Sequence, residues 1–338
     1  MNLHWRLLLA GWALLACQGA TCTLEDDVAM LQMQTKEEEV THRFEWCKEA
    51  EVVPYVQRSP SQESPAFRIQ LLPGSGACSS LLGVLASVMY AQKRERAYFL
   101  DESETRLKGS HPSWYLRYFQ PIGSSEPLSP FEDMPISSKE VRKFAGMPQL
   151  TIGSETMWRV NMKRTFLRRY WQFLPSVRQE VCGNVRQLGL PQRFFSIMVR
   201  RGDKITVENR SAVPLEHYID TLQSFQGISD IRDVFVGTDD CSVLEELRGM
   251  APSLTFHDFC YIQNAHGWDL KKDVTHDLDS HFLKFFAELT VMSASDIFIG
   301  DRASNVFNWV LYMRRSDSRN ATVFNVRDYP YGSVGLGI

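Results

Sequence analysis

Hydrophobic positions fall into three regimes along the chain. An apolar run, Leu7–Cys17, follows Arg6 and gives way to the small residues Gly19 and Ala20. Residues 23–65 lose any regular period; they are polar and acidic, with a Glu37–Glu39 run and a Pro/Ser-rich stretch from Ser59 to Pro65. From Phe67 onward, short apolar runs alternate with segments whose apolar residues return every three or four positions. That is the pattern of strands alternating with amphipathic helices.

In the first part of this region the pattern predicts a strand over Phe67–Leu72 and a turn at Pro73-Gly74-Ser75-Gly76. A helix over Cys78–Gln92 follows, with Leu81, Leu82, Leu85, Val88 and Met89 on one side, and then a strand over Ala97–Leu100. Residues 110–149 are irregular and rich in proline and aromatics, and most of those aromatics are expected to fasten a long loop to its domain. A long helix is predicted over Trp158–Leu174, and Pro175 starts a second one that ends near Gly189.

The second part is more regular. Strands are predicted at Phe194–Val199, Asp233–Thr238, Leu254–Phe259, Asp296–Gly300 and Thr322–Val326. Helices are predicted at Leu215–Phe225, Ser242–Met250, Phe282–Ser295 and Asn305–Arg314. Strands and helices that alternate over short connections predict a parallel sheet covered on both faces. The expected fold is α/β with two Rossmann-like domains, residues 66–190 and 191–338, and a cleft between them as the default site.

A chain of 338 residues fits two domains. The composition is ordinary, 44% hydrophobic and 23% charged, and the net charge of −3 argues against a nucleic-acid partner held by a general positive field. Residues 1–22 read as a signal peptide or a short signal anchor, because the apolar run is shorter than the roughly 20 residues that span a bilayer. Residues 23–65 read as stem and linker. Cys47, Cys78, Cys182, Cys241 and Cys260 are scattered with no CxxC pair, so one or two disulfides fit better than zinc. Glycosylation sequons stand at Asn209-Arg210-Ser211 and Asn320-Ala321-Thr322, and Asn320 is the one expected to be used.

Candidate chemistry collects at strand ends. Phe194–Val199 reads as a strand buried on both faces, and Arg200, Arg201, Asp203, Lys204 and Glu208 follow where it would stop. Ligands of open α/β sheets bind outside the carboxyl ends of the strands, and arginine grips phosphate oxygens in pairs. A phosphate site and a solvated basic turn with a local Arg–Asp pair are both open on these residues. Thr238-Asp239-Asp240 ends another strand and could hold a divalent metal or cap the following helix. Gly300-Asp301-Arg302-Ala303-Ser304 ends a third, where Ser304 can cap a helix and leave its amides beside an anion. Glu288 falls at the margin of an apolar helical stripe, where burial without a partner is costly.

The stretch Val199-Arg200-Arg201-Gly202-Asp203-Lys204, with Glu208 beyond it, resembles the signature of the α-1,6-fucosyltransferases, which include the animal N-glycan core and rhizobial nodulation enzymes. Gly76-Ala77-Cys78 with its helix, the Tyr98–Ser103 strand and the Trp158–Leu174 helix are also similar to that family. So, in order and with similar spacing, are Pro214–Tyr218, Thr238-Asp239-Asp240 and the Glu288–Ser304 block, so the resemblance covers most of residues 66–330. It implies a GT-B architecture, GDP-β-L-fucose as donor substrate, no cofactor and an inverting reaction that needs no metal. The implied acceptor is an N-acetylglucosamine of an N-glycan core or related oligosaccharide.

The implied roles follow position by position. Arg200 binds the β-phosphate with Ser304 beside it, and Arg201, Asp203 and Lys204 complete the donor network. Glu288 reads guanine, Tyr218, Asp239 and Asp240 stand at donor-site positions, and Glu208 is the catalytic base. The implied location is the secretory pathway, in the Golgi lumen or secreted. Two departures bear on this. Met198 stands where the family usually has a nucleotide-contacting histidine, and the chain stops soon after Val326, short of the animal enzymes' C-terminal SH3-like domain. The acceptor is therefore open: a protein hydroxyl, or binding without turnover, are the alternatives to the N-glycan.

Overall fold

A computed structural model of the chain describes residues 44–48, 59–71, 76–134, 166–168, 171–202, 211–226, 230–260, 277–314 and 322–326. Residues up to Lys48 form one compact unit and those from Glu49 another. Within the first, the described residues make a single 3-10 turn at Glu45–Cys47, with Phe44, Trp46 and Cys47 buried. The N-terminal run, both sequon asparagines and the Asp203–Glu208 segment lie outside the described residues. No described helix is long and apolar enough to cross a membrane.

The larger unit holds two parallel sheets, as the alternation of elements predicts. The smaller is built from β1 (Ala66–Gln70), β2 (Tyr98–Asp101) and β3 (Phe131–Met134) in the order β2-β1-β3. Helix α1 (Ala77–Lys93) connects β1 to β2 and packs against β1. A short helix α2 (Trp114–Tyr118) opens with Ser113, whose hydroxyl accepts the Leu116 N–H. Buried Glu102 accepts the Tyr115 N–H at 2.9 Å, close to that positive helix end. Neither α2 nor β3 shows a period in the sequence: α2 is five residues long, and β3 is an edge strand with three exposed positions.

One expectation for the first region needs correction. Residues 166–168 are helical, but Trp171–Leu174 are not, so no helix runs through to Leu174. Pro175 disfavours helical backbone at the residue before it, and Phe173 instead forms a bridge with Phe119. Helix α3 (Pro175–Gln187) then begins on the proline, and Gly189, at φ +60°, follows its end. The crowded aromatics are core, as expected: Trp114, Tyr115, Tyr118 and Phe119 are each 3% exposed or less.

The larger sheet has the order β6-β5-β4-β7-β8, all parallel. Its strands are β4 (Phe195–Val199), β5 (Asp233–Thr238), β6 (Thr255–Asp258), β7 (Ile297–Gly300) and β8 (Thr322–Asn325). The chain leaves β4 through α4 (Leu215–Gln226) to β5, and then through α5 (Val243–Met250) to β6. It returns through α6 (Leu278–Ala294) to β7 on the other flank of β4, and α7 (Asn305–Met313) leads on to β8. The order reverses between β4 and β7, and that switch point is where such sheets bind ligands.

Period-two alternation sorts β4 cleanly. Phe195, Ile197 and Val199 join the core formed with Leu215, Tyr218 and Leu222 of α4. Ser196 and Met198 face the other side, where the Ser196 hydroxyl lies 2.6 Å from that of Ser295 just after α6. Helix α6 begins four residues earlier than its apolar period suggests, because Asp277 caps it by accepting the N–H groups of Asp279 and Ser280. It packs against α3, α7, β4 and β5. Phe282 and Phe286 meet Trp114, Tyr118, Phe119, Trp171 and Phe173, so rings from both halves of the unit share one core.

Candidate active site

Strand register brings the candidate residues together. Val199 pairs with Thr238, so Arg200 and Asp239 follow side by side past the strand ends. The Arg200 Nε lies 3.3 Å from Asp239 Oδ2, with the arginine side chain 20% exposed. The same carboxylate accepts the Arg201 N–H at 2.8 Å and the Gly202 N–H at 3.1 Å. Asp239 therefore fixes the backbone at the carboxyl end of β4 by hydrogen bonds and pairs with the guanidinium by charge, so its oxygens are spent on protein groups.

Close approach on this face depends on two glycines. Met198 pairs with Gly237 on one side and Gly300 on the other. A Cβ on Gly237 would come 2.9 Å from Met292 Sδ and 4.0 Å from Glu288 Oε2. A Cβ on Gly300 would come 2.8 Å from the Phe307 ring. Glu288 thus projects from α6 over the end of β5, on the face of the sheet that Ser196, Met198 and, by alternation, Arg200 share. Burial pushes its carboxyl up to about 8, Arg200 pulls the other way, and Asp239 and Asp258 add to the rise.

From the other half of the unit, the first turn of α1 reaches the same region. Burial pushes the Cys78 thiol up, and the Arg200 guanidinium is near enough to oppose that shift. Gly76 is the cap residue of α1, in extended backbone and without a side chain of its own to offer the amides. The chain past β7 is tightly bound as well. Asp301 Oδ1 accepts the Ala303 N–H at 2.9 Å, and Asn325 Oδ1 accepts that of Arg302 at 3.1 Å. Ser304 caps α7, with its hydroxyl accepting the Val306 N–H.

Arg200, Asp239 and Glu288 are thus gathered at the end of β4, and Ser304 stands beyond the neighbouring strand. Other candidates are engaged elsewhere. The Arg201 guanidinium makes a paired contact with Glu246 of α5, at 2.5 and 3.0 Å. Tyr218 is buried on the opposite face, and its hydroxyl donates to the Met198 carbonyl at 3.2 Å. Asp240 caps the approach to α5, accepting from the Ser242 N–H and hydroxyl at 3.1 and 2.7 Å. Asp239 and Asp240 thus serve amides and hydroxyls, and the described residues hold no cluster of three or more metal-ligating side chains. Asp203, Lys204 and Glu208 lie outside the described residues.

One supporting residue gives no sequence signal beyond its place after an apolar helix. Arg314 is 1% exposed. Its guanidinium donates to the carbonyls of Met292, Ser295 and Asp296 and to the Ser295 hydroxyl, at 2.7 to 3.2 Å. These groups lie at the carboxyl end of α6, the helix that carries Glu288, where backbone acceptors lack intrahelical donors.

No protein-family model matches the chain, and no curated protein matches it in sequence. Solved structures similar to it include fucosyltransferases. They include the NodZ α-1,6-fucosyltransferase soaked with GDP-fucose, at 10% identity and a TM-score of 0.49 over 80% of this chain and 98% of that one. The fucosyltransferase NodZ from Bradyrhizobium is similar at 10% identity and a TM-score of 0.48, with the same coverage. POFUT1 in complex with GDP is similar at 10% identity and a TM-score of 0.45, over 77% of this chain and 98% of that one.

Proposed function

We propose that this chain is an inverting fucosyltransferase that takes L-fucose from GDP-β-L-fucose. The proposed acceptor is the 6-hydroxyl of an N-acetylglucosamine in an N-glycan core or related oligosaccharide. One observation carries the donor half: Arg200, ion-paired with Asp239, stands at the carboxyl end of the central strand beside the switch point, with Glu288 on the same face. A guanidinium placed there by an ion pair presents a planar fork that can make paired contact with phosphate oxygens.

The chemistry follows from charge. As the fucosyl–oxygen bond breaks, negative charge grows on the departing GDP and the sugar becomes cation-like. A cation fixed at the β-phosphate stabilises that state more than the ground state. Glu288, when ionised, accepts the two parallel N–H groups on the edge of guanine. Inversion requires a base on the far side of the sugar to take the proton of the acceptor hydroxyl. The resemblance assigns that step to Glu208, with Lys204 on the donor side. The acceptor assignment rests on the same resemblance, and no metal enters the proposed reaction.

The proposed location is the lumen of the secretory pathway, supported by the N-terminal apolar run and by the Cys241–Cys260 disulfide. The decisive experiment offers GDP-fucose to purified residues 23–338 and follows GDP release with and without N-glycan and folded-protein acceptors, in the presence and absence of a chelator. Transfer to the N-glycan that survives chelation is expected. Transfer only to a protein hydroxyl would move the acceptor, and no GDP release with any acceptor would leave a binding protein. Glu208→Gln is expected to abolish transfer while leaving GDP affinity nearly unchanged.

A further inference from the structure

The turn after β5 does more than join a strand to a helix. Its Asp239 holds two amides and a guanidinium that belong to the end of β4, across three contacts of 2.8 to 3.3 Å. Amide hydrogen bonds hold at donor–acceptor distances of about 2.7–3.2 Å, and at about 3.6 Å the bond is gone. A shift of this turn by even about 1 Å would therefore release the Arg200–Gly202 backbone. What holds the turn itself decides whether Arg200 stays aimed.

Two residues after Asp239, Cys241 is joined to Cys260, whose Cα is 5.6 Å away and which lies just past β6. The bond ties the turn to the end of the sheet's outermost strand on that side. The β6 end is itself secured: Asp258 Oδ1 accepts the Cys260 N–H at 2.9 Å, and Asp258 Oδ2 lies 3.4 Å from Arg248 of α5. Phe259 packs edge-on against Phe235 of β5. The disulfide thus closes a 19-residue span that contains all of α5 and β6, with Asp239 at its mouth.

We infer that the Cys241–Cys260 disulfide is a positioning element for the anion-facing end of β4, acting through Asp239 on Arg200, Arg201 and Gly202. This deepens the donor-site reading proposed above and rests on it only for the consequence on nucleotide affinity. A disulfide that served stability alone would loosen the unit as a whole when removed. One that acts through Asp239 releases the amides that Asp239 holds while the buried strand stays closed.

The test compares wild type with Cys241→Ser/Cys260→Ser in the full chain, by amide hydrogen exchange and by calorimetry with GDP. Faster exchange is expected at Arg201 and Gly202 with Phe195–Val199 unchanged, together with a rise in the GDP dissociation constant on the order of tenfold, as for one weakened hydrogen bond to a charged group. In an Asp239→Asn background the same cysteine changes should add nothing further, because both act on one link. Unchanged exchange at both amides, or equal acceleration throughout β4, overturns the inference. Absence of GDP uptake by wild type overturns the donor reading instead, and the exchange data still decide the role of the bond. If the double variant does not fold, wild type opened at this bond by a thiol reductant is read in the same way, the open pair being identified by alkylation and peptide mass spectrometry.

Discussion

Arg200 and Asp239 stand on adjacent strands with Nε and Oδ2 3.3 Å apart, and the pair sits one residue beyond the last paired positions of β4 and β5. An ion pair there does not add much stability by itself, since both side chains are largely buried, 20% and 6% exposed, and the cost of desolvating them offsets their attraction. Its effect is positional. The carboxylate draws the guanidinium by charge while its hydrogen bonds go to the neighbouring backbone amides, so Arg200 is kept beside a residue anchored at the strand end.

Arg200→Lys tests whether the planar fork matters beyond charge, because it keeps the charge and removes the fork. Calorimetry should show GDP binding weakened on the order of tenfold or more, corresponding to one lost charge-assisted hydrogen bond. A lysine variant with wild-type affinity would mean that position 200 supplies only charge. The thermal midpoint should barely move.

The residues that could be read from the sequence are those whose neighbours along the chain already explain them. Strand β5 agrees with its expected bounds because its central residues are uniformly buried, and Arg200, Ser304 and Asp239 stand out because charge or small residues abruptly end apolar strands. Glu288 stands out because it interrupts a helical stripe. Partners far away in the chain could not be read. Glu246 takes Arg201 from 45 residues away, which leaves Arg201 looking like a second phosphate ligand. Tyr218 matches a donor-site position by order, yet it sits on α4, which packs on the opposite face of β4 and buries it in that core. Edge strand β3 carries Glu132 and Asp133 in a four-residue span, and nothing local marks it as a strand.

Gly300→Ala should destabilise the fold by about 1–3 kcal/mol, the usual cost of overpacking a filled core. The added methyl would stand 2.8 Å from the Phe307 ring and 3.3 Å from Met198 Cε. The ring is buried and stacked on Phe298, so it has little room to yield. Urea midpoints with an unchanged slope check this. An unaltered midpoint would mean that β7 and α7 stand farther apart than described here.

Arg314→Met should cost on the order of 3 kcal/mol, because it removes the guanidinium donors from the carbonyls of Met292, Ser295 and Asp296, leaving Met292 only the Ser295 hydroxyl, while keeping most of the side-chain volume. The loss should appear first as faster amide exchange in the last turn of α6, ahead of β4. If urea denaturation shows less than about 1 kcal/mol, the carbonyls find other donors and Arg314 is not what holds that helix end.

Glu288 gives the fold a pH dependence of defined sign. Its carboxyl is raised by burial from an ordinary value of 4.5 to about 8. Between those values the folded chain holds a proton that the unfolded chain has released, so this group makes stability fall as pH rises through that window. Above about 8 both states are ionised and the loss is complete. Glu288→Gln carries no such penalty. Its melting temperature should match wild type near pH 4 and exceed it by a growing margin, on the order of a few degrees, as pH approaches 8. A margin that stays constant from pH 5 to 9 would show that the carboxyl titrates normally.

The same proton links Glu288 to the nucleotide. Guanine offers N–H donors on the edge that an ionised carboxylate would accept, so binding must select the deprotonated form. Below pH 8 that selection expels a proton: roughly nine-tenths of one per GDP at pH 7 and one-tenth at pH 9, by linkage to a group titrating near 8. GDP affinity should therefore rise with pH across this range, opposite to the trend expected if a neutral carboxyl donated to the base. Calorimetric enthalpies in buffers of different ionisation heat count the protons directly. Glu288→Gln should abolish the release and weaken binding, because an amide presents one acceptor and one donor where guanine needs two acceptors. If wild type binds GDP with no proton release at pH 7, Glu288 is not the residue that meets the base, even if Arg200 still holds the phosphate.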